Sequence, residues 1–321
     1  MPHAPAADAA LTPLEFIDAL ARGMGQVMLQ DNRWAGLLFL AGVGTSSPAL
    51  GAALLLGTLV GTATALALGV DRAPLRCGLF GFNGGLTALA LLVFLAPNAM
   101  TWLLVALAAA ASTVLMAALQ RLFQPWNLAA LTAPFVLAAW CGFLASARLG
   151  RLEPTQLLPT ASLPDAASVD GIVGPATVLE GLFNGVAQIF FQQGLVAGLL
   201  LCAGLALSSP RALAAALAGS LIGLATAWLA GAAEPAIRAG LYGFNPALTA
   251  IALWTVFLRF DARSALYGAL ACTASAIAFA AMSAGLAPFG LPALTFPFVA
   301  VTWVFLLAAP RFGALRLRTD A

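Results

Sequence analysis

The fold class this sequence predicts is an all-α polytopic membrane protein: two inverted repeats of five transmembrane helices, each preceded by a re-entrant half-helix, around a central pore. Three observations predict it. The 321 residues are 62% hydrophobic and only 8% charged, against roughly 25% charged residues in an average soluble domain. Long stretches carry no charge at all, and a bilayer crossing needs only about 20 apolar residues. One block of the chain also recurs 162 residues further on.

Taken in order, residues 1–10 are polar and lack the basic start and apolar run of a cleavable signal. They read as a cytoplasmic tail. Leu11 to Leu29 is too polar at its start and too short to span, so it reads as a re-entrant half-helix opening a first repeat, 11–147. Crossings are expected at about 34–47, 49–69, 78–95, 98–118 and 126–147, with turns at Ser46-Ser47-Pro48 and Pro97-Asn98. Residues 148–172, with several charges and prolines, read as a solvated extracytoplasmic linker. The second repeat, 173–310, starts with a matching re-entrant segment, Ile172 to Phe191. Its crossings are expected at 194–208, 212–231, 240–258, 264–286 and 290–309, before a second cytoplasmic tail, 311–321. Five crossings per repeat, an odd number, make the second half enter from the opposite face.

The repeat is direct. Arg76-Cys-Gly-Leu-Phe-Gly-Phe-Asn-Gly-Gly-Leu-Thr maps onto Arg238-Ala-Gly-Leu-Tyr-Gly-Phe-Asn-Pro-Ala-Leu-Thr. The same offset pairs Asp18 with Glu180, Gln26 with Gln188 and Gln30 with Gln192. Leu131-Thr132-Ala-Pro134-Phe135 falls on Leu294-Thr295-Phe-Pro297-Phe298 at an offset of 163, with Trp140 on Trp303, so one inserted residue separates the two blocks. Arginine placement tests the topology: with the N-terminus inside, 11 of the 14 arginines lie in inner loops and only Arg148, Arg151 and Arg238 outside. That bias puts both termini in the cytoplasm.

The candidate site follows from the matched polar residues. Gln26 and Gln188 end the two re-entrant segments, where an amide offers one acceptor and two donors to a passing solute; helix-to-helix glue is the alternative. Thr132 and Thr295 each stand two residues before a proline inside an expected crossing, a place where a freed carbonyl and a hydroxyl form a polar ledge; a kinked packing helix is the alternative. Gly81 and Gly243 supply permissive backbone, and Asn83 and Asn245 read as caps where a re-entrant element meets a helix, or as solute contacts. Phe135, Phe190, Phe191 and Phe298 are candidates for flat apolar walls. Asp18 and Glu180 belong at the mouths, and Arg76 and Arg238 hold loops.

Nucleophile, metal or cofactor chemistry finds no support. The sole histidine is His3, and Cys77, Cys141, Cys202 and Cys272 lie unpaired in apolar sequence. A net charge of +2 gives no reason to expect nucleic acid. The expected partner is the lipid bilayer, and the function is passage of a small neutral solute.

The segments around Gln26 and Gln188, the two Gly-Leu-aromatic-Gly-Phe-Asn motifs and the two Leu-Thr-x-Pro-Phe motifs resemble those of the urea transporter family, over nearly the whole chain. The resemblance implies a passive, channel-like path for urea through each protomer of a homotrimer in the cell (inner) membrane. By it, Gln26 and Gln188 contact solute near two slots and Thr132 and Thr295 form the polar waist between them. Where members often carry an aromatic plate after the first glutamine, this chain has Met28 and Leu29, so Leu29 becomes an aliphatic plate opposite the aromatic Phe190 and Phe191. Another small neutral solute, such as ammonia, a short amide or water, is the alternative cargo.

Overall fold

A computed structural model describes residues 11–166 and 168–318; the expected tail 1–10 lies outside the described residues, as does the end of the second tail. Seven helices make the first half: α1 (Pro13–Gln26), α2 (Arg33–Ser46), α3 (Pro48–Ala67), α4 (Arg72–Arg76), α5 (Phe82–Phe94), α6 (Ala99–Phe123) and α7 (Ala133–Ser146). The same series returns as α8 (Pro175–Ala187), α9 (Leu195–Ser208), α10 (Pro210–Leu229), α11 (Glu234–Arg238), α12 (Phe244–Ile251), α13 (Ala262–Leu286) and α14 (Phe296–Ala308). The sequence starts these helices with local caps. Thr12 and Glu15 form a capping box ahead of Pro13, Ser47 and Ser209 accept from the first turns of α3 and α10, and Asn98 and Asp261 do so for α6 and α13.

Among the described residues four helices are long and apolar enough to cross a membrane: α3, α10, and α6 and α13 with their short extensions to Trp126 and Phe289. The α8 segment and α9 pass only as a pair, bent by 73° at the break between them. The crossings expected at 78–95 and 126–147 are corrected by the structure to helices of 13 and 14 residues, about 20 Å long at 1.5 Å per residue. The backbone itself cuts them short. Gly78 (φ 76°) turns the chain before α5, and Asn127 (φ 50°) and Leu131 (φ 52°) do so before α7. Gly240, Gly290 and Leu294 repeat the pattern in the second half.

These short helices form the centre of the molecule. Every residue from Phe82 to Leu92 and from Phe244 to Leu253 is buried. Close approach of small residues allows this: a Cβ on Gly57 of α3 would come within 2.3 Å of the Gly84 carbonyl oxygen, and one on Gly219 of α10 within 2.4 Å of that of Pro246.

The single inserted residue is located by hydrogen bonding. In the first half the Leu95 N–H donates to Leu91 O, an ordinary α-helical step. In the second half, α12 runs into a π-helical segment, Ala252–Phe257, and the Leu258 N–H donates to Leu253 O. Leu253 matches Leu91 at an offset of 162 and Leu258 matches Leu95 at 163, so the π turn absorbs the extra residue.

Beyond it the halves stay in register. Leu95 bridges Pro154 and Leu258 bridges Leu317. Ala96 N–H donates to Glu153 O (2.7 Å) and Thr155 N–H to Phe94 O (2.9 Å), while Arg259 and Arg318 make the matching bonds to Arg316 O and Phe257 O (2.9 Å each). Segments that the sequence suggested as linker and tail therefore return to clasp the ends of α5 and of the π segment.

Between halves the contacts are reciprocal. Trp140 Nε1 donates to Pro292 O (2.8 Å), and its counterpart Trp303 donates to Ala129 O (2.9 Å), where Ala129 is the counterpart of Pro292. On α2 and α9, Gly42 faces Leu201 and Gly204 faces Phe39, again a matched exchange.

Candidate functional site

Each half builds its site from the end of its first helix. After α1 the Leu29 N–H donates to Gln26 O (2.9 Å) and the Gln30 N–H reaches back to Gly25 O (3.1 Å). After α8 the Phe191 N–H donates to Gln188 O (2.9 Å) and the Gln192 N–H to Ala187 O (3.1 Å). This bond pair closes a helix on a left-handed residue that is usually glycine. Here it is Leu29 (φ 60°) and Phe191 (φ 58°), and the side chains of Gln30 and Gln192 tie each turn by donating to Met28 O (2.9 Å) and Phe190 O (2.8 Å).

Gln26 and Gln188, three residues upstream of Leu29 and Phe191, are both half-buried, and their amides are oriented identically. Gln26 Nε2 donates to Cys77 O (2.9 Å) and Gln188 Nε2 to Ala239 O (3.0 Å). A carbonyl partner requires the NH₂ end, so in each case Oε1 is left as an acceptor.

The threonine motif differs from its expected form. Thr132 and Thr295 do not sit in kinked helices; they are the N-cap residues of α7 and α14, and Pro134 and Pro297 lie in the first turn, where a missing N–H breaks no intrahelical bond. Neither threonine side chain caps its own helix. Asn83 does so from a distance: its Oδ1 accepts from Phe135 N–H (3.1 Å) and its Nδ2 donates to Leu131 O (3.2 Å). Asn245 does the same for Phe298 N–H (3.0 Å) and Leu294 O (3.2 Å). With that donor already satisfied, the threonine hydroxyls turn to each other, and Thr132 Oγ1 and Thr295 Oγ1 meet at 2.6 Å, each residue 3% exposed.

A cavity of about 260 Å³ lies on the second-half side of this pair. Gln188, Phe191 and Thr295 line it, together with Phe94, Phe244 and Phe279. Phe191 meets Phe94 edge-on at 6.1 Å and Phe135 at 6.2 Å. No ionisable side chain lines the cavity, so a permanent ion would find no counter-charge there.

Of the candidate residues, the structure brings Gln188, Phe191 and Thr295 onto this cavity. It puts Phe190 (0% exposed, 5.3 Å from Phe39), Phe135 (0%) and Phe298 (1%) into the core behind it. Gln26 and Leu29 hold the matching places of the first half. Gly81 and Gly243 stand as N-caps of α5 and α12.

The sequence reading missed Phe244, although it lies between the chosen Gly243 and Asn245. It also missed Phe94, which crosses over from the first half. No local pattern marks Phe94.

The charges lie at the outer ends of α1 and α8. Asp18 holds Arg22 (2.6 Å) and Arg33 (3.3 Å), Arg22 also holds Asp31 (2.7 Å), and Arg76 holds Glu15 (3.3 Å). Arg238 takes Glu180 (3.0 Å) and Glu234 (2.7 Å). The Thr177 hydroxyl donates to Glu234, and this bond, followed by the Arg238 guanidinium, holds the Glu234 carboxyl below its ordinary value. Among the described residues no group of three His, Cys, Asp or Glu is placed to hold a metal.

Comparison with known proteins agrees with this arrangement. Residues 17–310 match the family model described as urea transporter. Relatives named "Urea transporter 1" from Ovis aries and Capra hircus are 33% identical over 299 residues, covering 92% of this chain and 77% of theirs, and the one from Rattus norvegicus is 32% identical. On the strength of that match over most of its length, the chain belongs to the urea transporter family.

Proposed function

We propose that this chain conducts urea passively, down its gradient, through a narrow path that runs past Gln188 and Phe191, beside the Thr132–Thr295 pair, and on past Gln26 and Leu29. Urea is flat and neutral, with four N–H donors and one acceptor oxygen. A path for it needs acceptors at its edges, apolar surfaces on its faces, and a donor for its carbonyl. The glutamine Oε1 atoms serve as edge acceptors, and Phe191, Phe244 and Phe94 on one side, with Leu29 on the other, serve as plates.

The observation that carries the reading is the hydroxyl pair. When one threonine donates to the other, the second keeps a free hydrogen, and both keep acceptor lone pairs. The pair can thus give a hydrogen bond to the urea oxygen while accepting from its nitrogens, replacing hydration at the narrowest point.

The reciprocal contacts of Trp140 and Trp303 and of Gly42 and Gly204 support two halves inverted about a twofold axis, with five crossings in each, the short helices included. Arginine bias supports cytoplasmic termini and a place in the cell (inner) membrane, and the family resemblance supports a homotrimer.

Urea flux into proteoliposomes tests the function. The native chain is expected to give saturable flux, and Thr132→Val or Thr295→Val to lower it by about fivefold each, the effect of one lost hydrogen bond of about 1 kcal/mol. Absence of saturable urea flux in the native protein would overturn the reading.

A further inference from the structure

A second cavity, of about 680 Å³, opens where α10 begins, beside the π segment and the C-terminal clasp. Its lining divides into two parts. Ala214 and Ala218 of α10, with Trp254 and Phe260, are apolar; Arg211 and Arg318 are basic, and no carboxylate lines it. The Arg318 guanidinium is held in place by donating to Thr255 O, a carbonyl of the π segment. Arg211 has no carboxylate partner among the described residues. Phe260, 67% exposed, stands edge-on to Trp254 at 6.2 Å, and Trp254 is itself anchored by Nε1 donating to Ser264 O (3.1 Å).

The repeat supplies an internal control. The first half builds the same clasp on the same helices, but Ala49 stands where the second half has Arg211, Thr155 where it has Arg318, Ala96 where it has Arg259 and Glu153 where it has Arg316. The clasp therefore stands without these four positive charges, and packing does not require them.

We propose that this cavity binds the headgroup of an acidic membrane phospholipid. The two arginines take the phosphate oxygens at the start of α10, where the helix dipole also favours an anion. Trp254, Phe260 and the alanine floor take the glycerol and the upper acyl chain, as aromatic side chains do at a membrane interface. Free phosphate shares the first half of this chemistry and not the second.

Native mass spectrometry of the full chain tests it, using dioleoylphosphatidylglycerol, dioleoylphosphatidylcholine and, separately, excess inorganic phosphate with thermal unfolding as readout. The expected result is one retained phosphatidylglycerol per chain, bound about thirtyfold more weakly by Arg211→Gln/Arg318→Gln. A control of equal charge loss, Arg263→Gln/Arg311→Gln, lies outside the cavity lining and is expected to bind as the native chain does. Since Arg318 also braces the π segment, Arg211→Gln alone serves as a second variant, expected to weaken binding by about fivefold with unchanged unfolding temperature in lipid-free detergent. Equal weakening in the control, equal retention of phosphatidylcholine, or the same thermal protection by inorganic phosphate would each overturn the proposal.

Discussion

Leu29 and Phe191 occupy a backbone region that costs a side chain about 1–2 kcal/mol, and both halves accept that cost at the same position, three residues after one glutamine and directly before another. A turn built only to reverse the chain would carry glycine here. The proposed plate role of these side chains accounts for a strained backbone at this place. Leu29→Gly is expected to be more stable than Leu29→Ala by about 1 kcal/mol, the reverse of the usual order in ordered backbone. Chemical unfolding of the two variants measures it, and an alanine variant equal or superior in stability would remove strain from the account. At this scale the sequence singled out the polar residues, because Gln26, Thr132 and Asn83 recur in matched places amid apolar sequence. It did not show how they divide the work. That Asn83 caps α7 and so frees Thr132 depends on a contact between residues 52 positions apart, Asn83 and Phe135.

Among the elements, the π segment is where the halves differ most, and it explains an insertion the sequence could only bracket between residues 253 and 294. Deleting Val256 leaves the Leu258-to-Leu253 bond with the same partners and makes it an ordinary α-helical step. Stability is expected to stay within about 1 kcal/mol of the native chain, whereas deleting Val93 from α5 pulls Leu95 off its clasp and costs about 3 kcal/mol or more. Unfolding monitored by tryptophan fluorescence distinguishes the two, and equal losses would remove the π turn as the site of the insertion.

The latch between α8 and α11 gives a pH prediction. Glu234 has a folded value below its ordinary 4.5, so its contribution is fully present above that pH and is lost as pH falls through the folded value. Native protein and Glu234→Gln are expected to differ in unfolding temperature at neutral pH and to converge in acid; a constant gap would show that the carboxylate charge is not involved. The elements themselves were mostly legible, since Ser, Asn, Asp and Pro mark their starts. The lengths of α5 and α7 were not: hydropathy counts apolar residues and cannot see that Leu131 takes a left-handed conformation.

For the whole molecule, the halves are joined by matched pairs: Thr132 with Thr295, and Trp140 and Trp303 each with the other half's carbonyl. Reciprocity predicts equal costs, so Trp140→Phe and Trp303→Phe should each lower stability by about 1 kcal/mol, the net value of one hydrogen bond. A large loss in one and none in the other, in the same unfolding assay, would show that the two halves are not energetically equivalent. The sequence by itself determined the membrane setting, the two-fold repetition and the class of polar residue at each matched place, because these follow from composition and spacing, which survive without coordinates. Only the tertiary structure decided that the threonine hydroxyls meet, that Phe191 and not Phe190 faces the cavity, and that Phe94 crosses to the other half's wall. Those outcomes depend on backbone turns of one or two residues and on partners up to 163 positions away, and neither leaves a periodic trace along the chain.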